Sequence, residues 1–198
     1  YTAASSGALL MTLTSNADLG MYARSACEDP SAQRFCVDAH GGGMDESYAM
    51  PVAAGDNWTV FVDGFQGANG AYDLLTSFVA STEIEGNAAP VLANPFNAPF
   101  IANIDPFDDE DWVSIGVPAG ETLEVEVLGL LPSSCPEAID SALEVYDTDG
   151  TTMLAYDDDS GIGGCSKISL PGLGGGTYYI RVYNYNGPIA YELAVNTF

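Results

Sequence analysis

Basic residues are almost missing from this chain. Four Lys and Arg stand against 28 Asp and Glu in 198 residues, a formal net charge of −24. Arg24, Arg34, Lys167 and Arg181 are the entire cationic complement. Nucleic acid and anionic membrane surfaces both need clustered cations, so neither is an expected partner. His40 is the single histidine. A Ser-His-Asp triad would have to use it, yet it sits in the turn His40-Gly41-Gly42-Gly43 with no nucleophile motif beside it. No apolar run approaches the ~20 residues of a membrane-spanning helix, so no membrane insertion is expected. No leader-like stretch occurs, so any targeting segment is expected to have been removed or to lie outside these residues. A Gly loop followed by Lys-Ser/Thr, the phosphate-cradling pattern, is also missing. No segment carries a convincing 3.6-residue apolar period.

What is present is an internal repeat, and a repeat decides architecture before any single residue does. Residues 56–75 read DNWTVFVDGFQGANGAYDLL and residues 176–195 read GTYYIRVYNYNGPIAYELAV. Each is an alternating strand, a Gly/Asn turn and a second alternating strand. With one inserted residue in the first turn, Trp58 falls on Tyr178, Val60 on Ile180, Val62 on Val182, Phe65 on Tyr185 and Tyr72 on Tyr191.

Upstream of each hairpin the order also repeats. Strands are predicted over 8–14, 18–24, 35–39 and 46–52, matched by 122–128, 141–147, 152–157 and 166–170. Pro51 and Pro171 close the last pair. Gly, Asn, Asp and Pro turns at this spacing point to an all-β fold of two tandem antiparallel β-sandwiches. The domains are read as 1–80, then an acidic and Pro/Asn-rich linker over 81–104, then 105–198. The second repeat has a leader over 83–120 that the first lacks, so the first sandwich is expected to be short of its opening strand or strands. Either the chain was cut from a longer protein, or the missing strand comes from elsewhere.

Cys27 and Cys36 fall in one half, Cys135 and Cys165 in the other, and neither pair has zinc-finger spacing. An even count in a chain so poor in Lys and His reads as two disulfides, Cys27–Cys36 and Cys135–Cys165, formed in an oxidising compartment. Four free thiols are the alternative.

The second repeat carries motifs in a telling order: Asp111-Trp112-Val113-Ser114-Ile115, then Pro118-Ala119-Gly120-Glu121-Thr122-Leu123, then Asp140-Ser141-Ala142-Leu143-Glu144-Val145-Tyr146-Asp147, then Gly176-Thr177-Tyr178-Tyr179-Ile180-Arg181-Val182. That succession resembles the bacterial pre-peptidase C-terminal domain family over residues 83–198. The resemblance implies jelly-roll-like sandwiches of the kind that follow secreted peptidases. Residues 1–80 resemble the later two-thirds of a second copy, with His40-Gly41-Gly42-Gly43 where an Asp run should stand. The family is similar to clostridial collagen-binding domains, which bind Ca²⁺ between an acidic linker and an acidic opening loop. Their E-x-E-x-N linker is matched by Glu83, Glu85 and Asn87, and the loop here offers Asp105, Asp108, Asp109, Glu110 and Asp111.

Calcium is therefore the expected cofactor. Alternate residues of an extended segment project oxygens to one side, and a hard cation takes six to eight oxygens at ~2.3–2.6 Å. The candidate ligands are Glu83, Glu85, Asn87, Asp105, Asp108, Asp109 and Asp111; a solvated acidic linker is the bland alternative. Asp147-x-Asp149-Gly150 with Asp157, Asp158 and Asp159 is a second acidic cluster, better read as an Asx turn. Paired carboxylates would suit glycoside hydrolysis, but acids in β-turns are commonly turn formers. A binding surface is expected from the outward residues Tyr179, Arg181 and Tyr183 with Tyr185 in the turn, suited to an extended polypeptide or a sugar. Cross-strand packing, or an interface between the repeats, competes with that reading.

The chain thus reads as a non-catalytic, secreted, extracellular or cell-surface protein. Its expected work is that of a structural or adhesive unit, calcium-stabilised and polymerising by strand complementation with other copies of itself or with an extracellular polymer. The alternative is a C-terminal accessory region of a secreted hydrolase.

Overall fold

The computed structural model describes residues 1–131 and 139–198. The chain is all-β and divides into two compact units, Tyr1–Ala80 and Ser81–Phe198. Each is built from two sheets facing each other across an apolar core.

In the first unit, β1 (Gly7–Ser15) is flanked antiparallel by β4 (Glu46–Val52) and β6 (Tyr72–Ala80). The facing sheet is β3 (Gln33–Val37), β2 (Leu19–Arg24) and β5 (Thr59–Gly64). Alternation sets the register: Leu9, Met11 and Leu13 of β1 and Leu19, Met21 and Ala23 of β2 point inward and fill one core with Met50 and Val52.

The second unit repeats this plan and adds to it. β10 (Leu123–Gly129) lies between β13 (Lys167–Leu170) and β15 (Ile189–Thr197), as β1 lies between β4 and β6. β11 (Ser141–Tyr146) lies between β12 (Met153–Asp157) and β14 (Gly176–Asn184), as β2 lies between β3 and β5. Beyond β15 comes β8 (Phe100–Ile104). Beyond β14 come β9 (Asp111–Val117) and the short β7 (Asn94–Pro95). Val125, Val127, Leu143, Val145, Ile180, Val182, Tyr191 and Leu193 make the centre of its core.

Two expectations are corrected. Residues 81–104 are not a linker but part of the second unit. Phe100, Ile101, Ala102, Asn103 and Ile104 are all buried, and β8 is held at one edge by β15 and at the other by Ser81 and Thr82, whose backbone and hydroxyls bond the Ile101 backbone. And Cys27 and Cys36 are exposed free thiols, not a disulfide. Cys36 stands opposite Tyr22, two rungs inside the end of β2, while Cys27 lies in the turn beyond Arg24. Two rungs are about 7 Å, already at the limit that a disulfide spans between Cα atoms. The other expected pair falls on Cys135, which lies outside the described residues; Cys165 is fully buried.

Candidate functional site

The acidic segment and the acidic loop meet in the second unit. The strap that holds β8 continues into Glu83, whose Oε2 accepts the Asn103 amide at 3.0 Å. Asn87 Nδ2 donates to Glu83 Oε1 at 3.1 Å and to Asp111 Oδ1 at 3.3 Å. Asp111, the first residue of β9, is fully buried, and its Oδ2 accepts the Tyr191 hydroxyl at 2.7 Å. Burial, then a hydrogen bond and charge from Glu83, push the Asp111 carboxyl well up from its usual range. Burial likewise raises the Tyr191 phenol, aided by Asp111 and Glu83.

Around this pair the other acids crowd. Partial burial and the charges of Glu83, Asp109 and Asp105 push Glu85 up to about 7. Glu85 remains exposed as a residue, so solvent screens part of that repulsion. Asp109 is raised by burial and by Glu83 and Asp105, although its carboxylate accepts the amides of Asp105 and Glu110. Asp105 acts on the cluster through its charge. Asp108 is exposed. Six of the expected ligands, Glu83, Glu85, Asn87, Asp105, Asp109 and Asp111, thus share one acidic neighbourhood.

The donors fit a hard cation in kind: carboxylates, plus the Asn87 Oδ1, which is buried and has no hydrogen-bond partner. They are drawn together by the Asn87 amide and the Glu83–Asp111 hydrogen bond. Among the described residues no three acidic, His or Cys side chains form a finished metal cluster.

The second acidic cluster is a turn. Asp149 accepts the Thr151 and Thr152 amides and the Thr152 hydroxyl, bonds that hold its carboxyl at about 2. Asp157 accepts the amides of Ser160 and Lys167.

The aromatic face lies on the outer side of the β12–β11–β14–β9 strands. Arg181 bonds Glu110 through Nε, at 2.9 Å, and Nη2, and Glu144 through Nη1 at 2.8 Å. Burial opposes its charge, but these carboxylates outweigh it and raise its pKa. Its guanidinium stacks over Tyr183 at 4.7 Å. Arg181 is therefore an internal brace, with its charge already matched. Beside it the Tyr185 hydroxyl meets those of Tyr183 at 3.1 Å and Tyr156 at 3.2 Å. Tyr179 lies across from Tyr146 and Ser114. Sequence reading missed Tyr156, Glu144, Tyr146 and Trp112, because they reach this face from other strands through cross-strand register. The first unit has a smaller counterpart: Tyr22 and Phe61 stack at 4.8 Å under Arg24, beside a depression of about 400 Å³ lined also by Cys36, Asp38 and Asp63.

His40 contributes no triad. Its ring faces Glu46 at 3.7 Å, and the Glu46 carboxylate is occupied by the amides of Ala39 and His40.

The run of strands β9 to β14, with its acidic opening and tyrosine-rich penultimate strand, has a counterpart among known families. Residues 109–184 match the bacterial pre-peptidase C-terminal domain. No curated protein matches the chain by sequence. Among solved structures the chain is similar to the pre-peptidase C-terminal domain of collagenase from Bacillus anthracis, at 22% identity over 52% of this chain and 94% of that one, with a TM-score of 0.39. It is similar at 17% identity, 52% and 94% coverage and a TM-score of 0.37 to PliG of Aeromonas hydrophila, a periplasmic inhibitor of g-type lysozyme. A third likeness, to the infectious bursal disease virus VP2 subviral particle, has 9% identity, 99% and 57% coverage and a TM-score of 0.23. At these scores the structural likenesses carry no functional argument. No helix among the described residues is long and apolar enough to cross a membrane.

Proposed function

We propose that this chain is a non-catalytic exported protein that serves as a structural or adhesive unit of an extracellular or cell-surface assembly. The observation that carries the reading is the difference between the units at matched strands. β14 and β15 of the second unit are each covered by a further strand, whereas the corresponding edges of β5 and β6 are bare along most of their length among the described residues. Bare edges with apolar side chains are templates for pairing with another chain. The assembly consists of copies of this chain or of this chain with an extracellular polymer. Light scattering of the purified chain across protein concentration tests this: ordered growth supports the reading, and a single-chain mass at all concentrations refutes assembly from copies of this chain.

Calcium belongs to the same proposal. Glu83, Glu85, Asn87, Asp109 and Asp111 would hold it, with Asp105 contributing charge, and the cation would neutralise their repulsion. Asn87 presents the buried carbonyl oxygen that lacks a partner. Glu83 and Asp111 fix the strap and the start of β9, so loading the site would tie β8 and β9 to the rest of the unit.

A second reading, an accessory region of a secreted peptidase or other hydrolase, draws support from the domain match over 109–184. In that case the Tyr156, Tyr179, Tyr183 and Tyr185 face is the surface for substrate. The two readings separate when a pull-down with an insoluble polypeptide or polysaccharide is set beside light scattering: ordered growth without added polymer favours the assembly, and polymer binding by a species of single-chain mass favours the accessory region.

A further inference from the structure

The same outer-sheet positions carry different chemistry in the two units. In the first, Tyr22 pairs with Phe61 and Cys36, as Glu144 pairs with Arg181 and Tyr156 in the second. The second unit fills this face: Arg181 is held by Glu110 and Glu144, and the hydroxyls of Tyr156, Tyr183 and Tyr185 meet. In the first unit the matched side chains leave the hollow of about 400 Å³ on the outer face of β2. Gly20 forms its floor where the second unit has Ala142. A Cβ at Gly20 would come within 2.8 Å of the Val37 carbonyl oxygen and 3.0 Å of Asp38 Cβ, so glycine lets Asp38 close on the floor.

The walls of the hollow are fixed by contacts of their own. Arg24 lies against the rings of Tyr22 and Phe61, at 4.9 and 5.1 Å, and its Nη1 donates to the Cys27 carbonyl at 3.5 Å. Arg24 Nε is buried without a hydrogen-bond partner. At the other end the turn after β5 is pinned. The Phe65 amide donates to the Asp18 carbonyl at 3.0 Å, and the Ala68 amide to the Phe65 carbonyl at 2.9 Å. Gln66 has a φ of 50°, the only positive value at a non-glycine among the described residues. Strained backbone of that kind clusters at ligand clamps. Phe65 is thereby held at the rim, 50% exposed. Gln33, Asp38 and Gln66 also line the hollow, and no hydrogen bond ties their side chains to another of the described residues.

We propose that this hollow is a binding site for a neutral saccharide, with Phe65 against the apolar face of a sugar ring and Asp38, Asp63, Gln33 and Gln66 on its hydroxyls. The site stands apart from the assembly and calcium readings, which concern other parts of the molecule. An exposed ring beside a few convergent polar groups is the general make-up of a small-ligand site. The charges select the class. An anion would meet Asp38 and Asp63, and Asp18 and Glu46 add to the acidic field at Asp38. A cation would meet Arg24. A hydroxyl both donates and accepts, so it serves carboxylate, amide and guanidinium alike. β2 is the middle strand of its sheet, paired on both sides, so this face offers side chains rather than a free backbone edge, and an extended peptide has no ladder to join. From Gly20 to Arg24 the floor runs about 13 Å along the strand, long enough for more than one sugar ring.

The test titrates cellohexaose, maltohexaose and chitohexaose into the full 198-residue chain in chelator, read by calorimetry and amide NMR. At least one should bind and shift the amides of Gly20, Tyr22, Gly64 and Gln66. Phe65→Ala and Asp63→Ala, both at exposed positions, should each weaken binding by about tenfold. Tyr185→Ala, on the outer face of the second unit, should leave it unchanged. The unmutated chain supplies a second readout. Cys36 lines the hollow and Cys27 does not, so saturating saccharide should slow maleimide addition at Cys36 and leave Cys27 unaffected. Binding of none of the three, shifts confined to the second unit, or a Cys36 rate that saccharide does not change overturns the proposal. Tighter binding of hexagalacturonate than of any neutral hexamer overturns it too, as does a neutral peptide that shifts these amides when the saccharides do not.

Discussion

The two units are one design at two stages of closure. Strands β1 to β6 of the first have counterparts β10 to β15 in the second, in the same order and pairing. What differs is β8 and β9, and with them the burial of every inward residue on the next strand. Tyr72 and Tyr191 are the same residue type at the same register, yet one is half exposed and the other sealed. A position's burial is thus set by whether a neighbouring strand exists, more than by the strand's own sequence. The acidic cluster sits where it secures those extra strands: Asp111 starts β9, and Glu83 bonds β8.

The sharpest way to break this comparison is to truncate the matched tyrosines. Tyr191→Ala should destabilise the second unit by about 3–5 kcal/mol, the cost of emptying a large buried aromatic site. Tyr72→Ala should cost the first unit less than about 1 kcal/mol in the absence of a partner. Denaturant titration followed by hydrogen exchange assigns each loss to its unit, and equal losses would end the argument from closure.

Next is the cation. Calcium at a hundred times its dissociation constant should stabilise the second unit by about 2.7 kcal/mol. Asp111→Ala should abolish the rise in melting temperature, and Glu85→Ala should reduce it. A melting temperature unmoved by calcium and chelator alike removes the site.

A pH series in chelator is a subtler probe. The folded Glu85 pKa is raised, so its protonated form contributes stability fully below the ordinary 4.5 and loses it as pH rises through about 7. Asp111 is shifted in the same direction. The second unit should therefore weaken across that window without calcium, and calcium should flatten the slope. A slope of equal size in the first unit would contradict the assignment.

The smallest effects concern the surface. Leu75 is 71% exposed, so Leu75→Lys should alter stability by no more than about 0.5 kcal/mol. Cys27 and Cys36 should react with a maleimide in the native chain, checked by mass spectrometry. Their resistance before reduction would revive the disulfide.

Much of this was legible in the residues. Period-two alternation and Gly/Asn turns mark the strands, and the doubled hairpin fixes which residues match. Phe100–Ile104 escaped notice because both its faces are covered, so it has no alternation, and Pro and Asn on either side disguise it as a linker. The tyrosine face was half seen. Tyr179, Arg181 and Tyr183 declare themselves on one strand, but Tyr156 and Trp112 join only through pairings between strands far apart in sequence. An even cysteine count says nothing of distance, and Cys27 and Cys36 show it. Asn87 was visible in the E-x-E-x-N pattern, but that its Oδ1 is buried without a hydrogen-bond partner was not.

The bare edge of β6 also bears on how such a protein is kept in solution. Apolar edge strands left open are sites of uncontrolled aggregation. Here the acid-rich exterior is the guard, since like-charged molecules hold one another beyond contact while the field reaches further than the side chains. At about 0.1 M salt that reach falls to ~10 Å, and at about 1 M to ~3 Å. On the assembly reading proposed above, raising the ionic strength from dilute buffer to brine should therefore promote pairing at that edge.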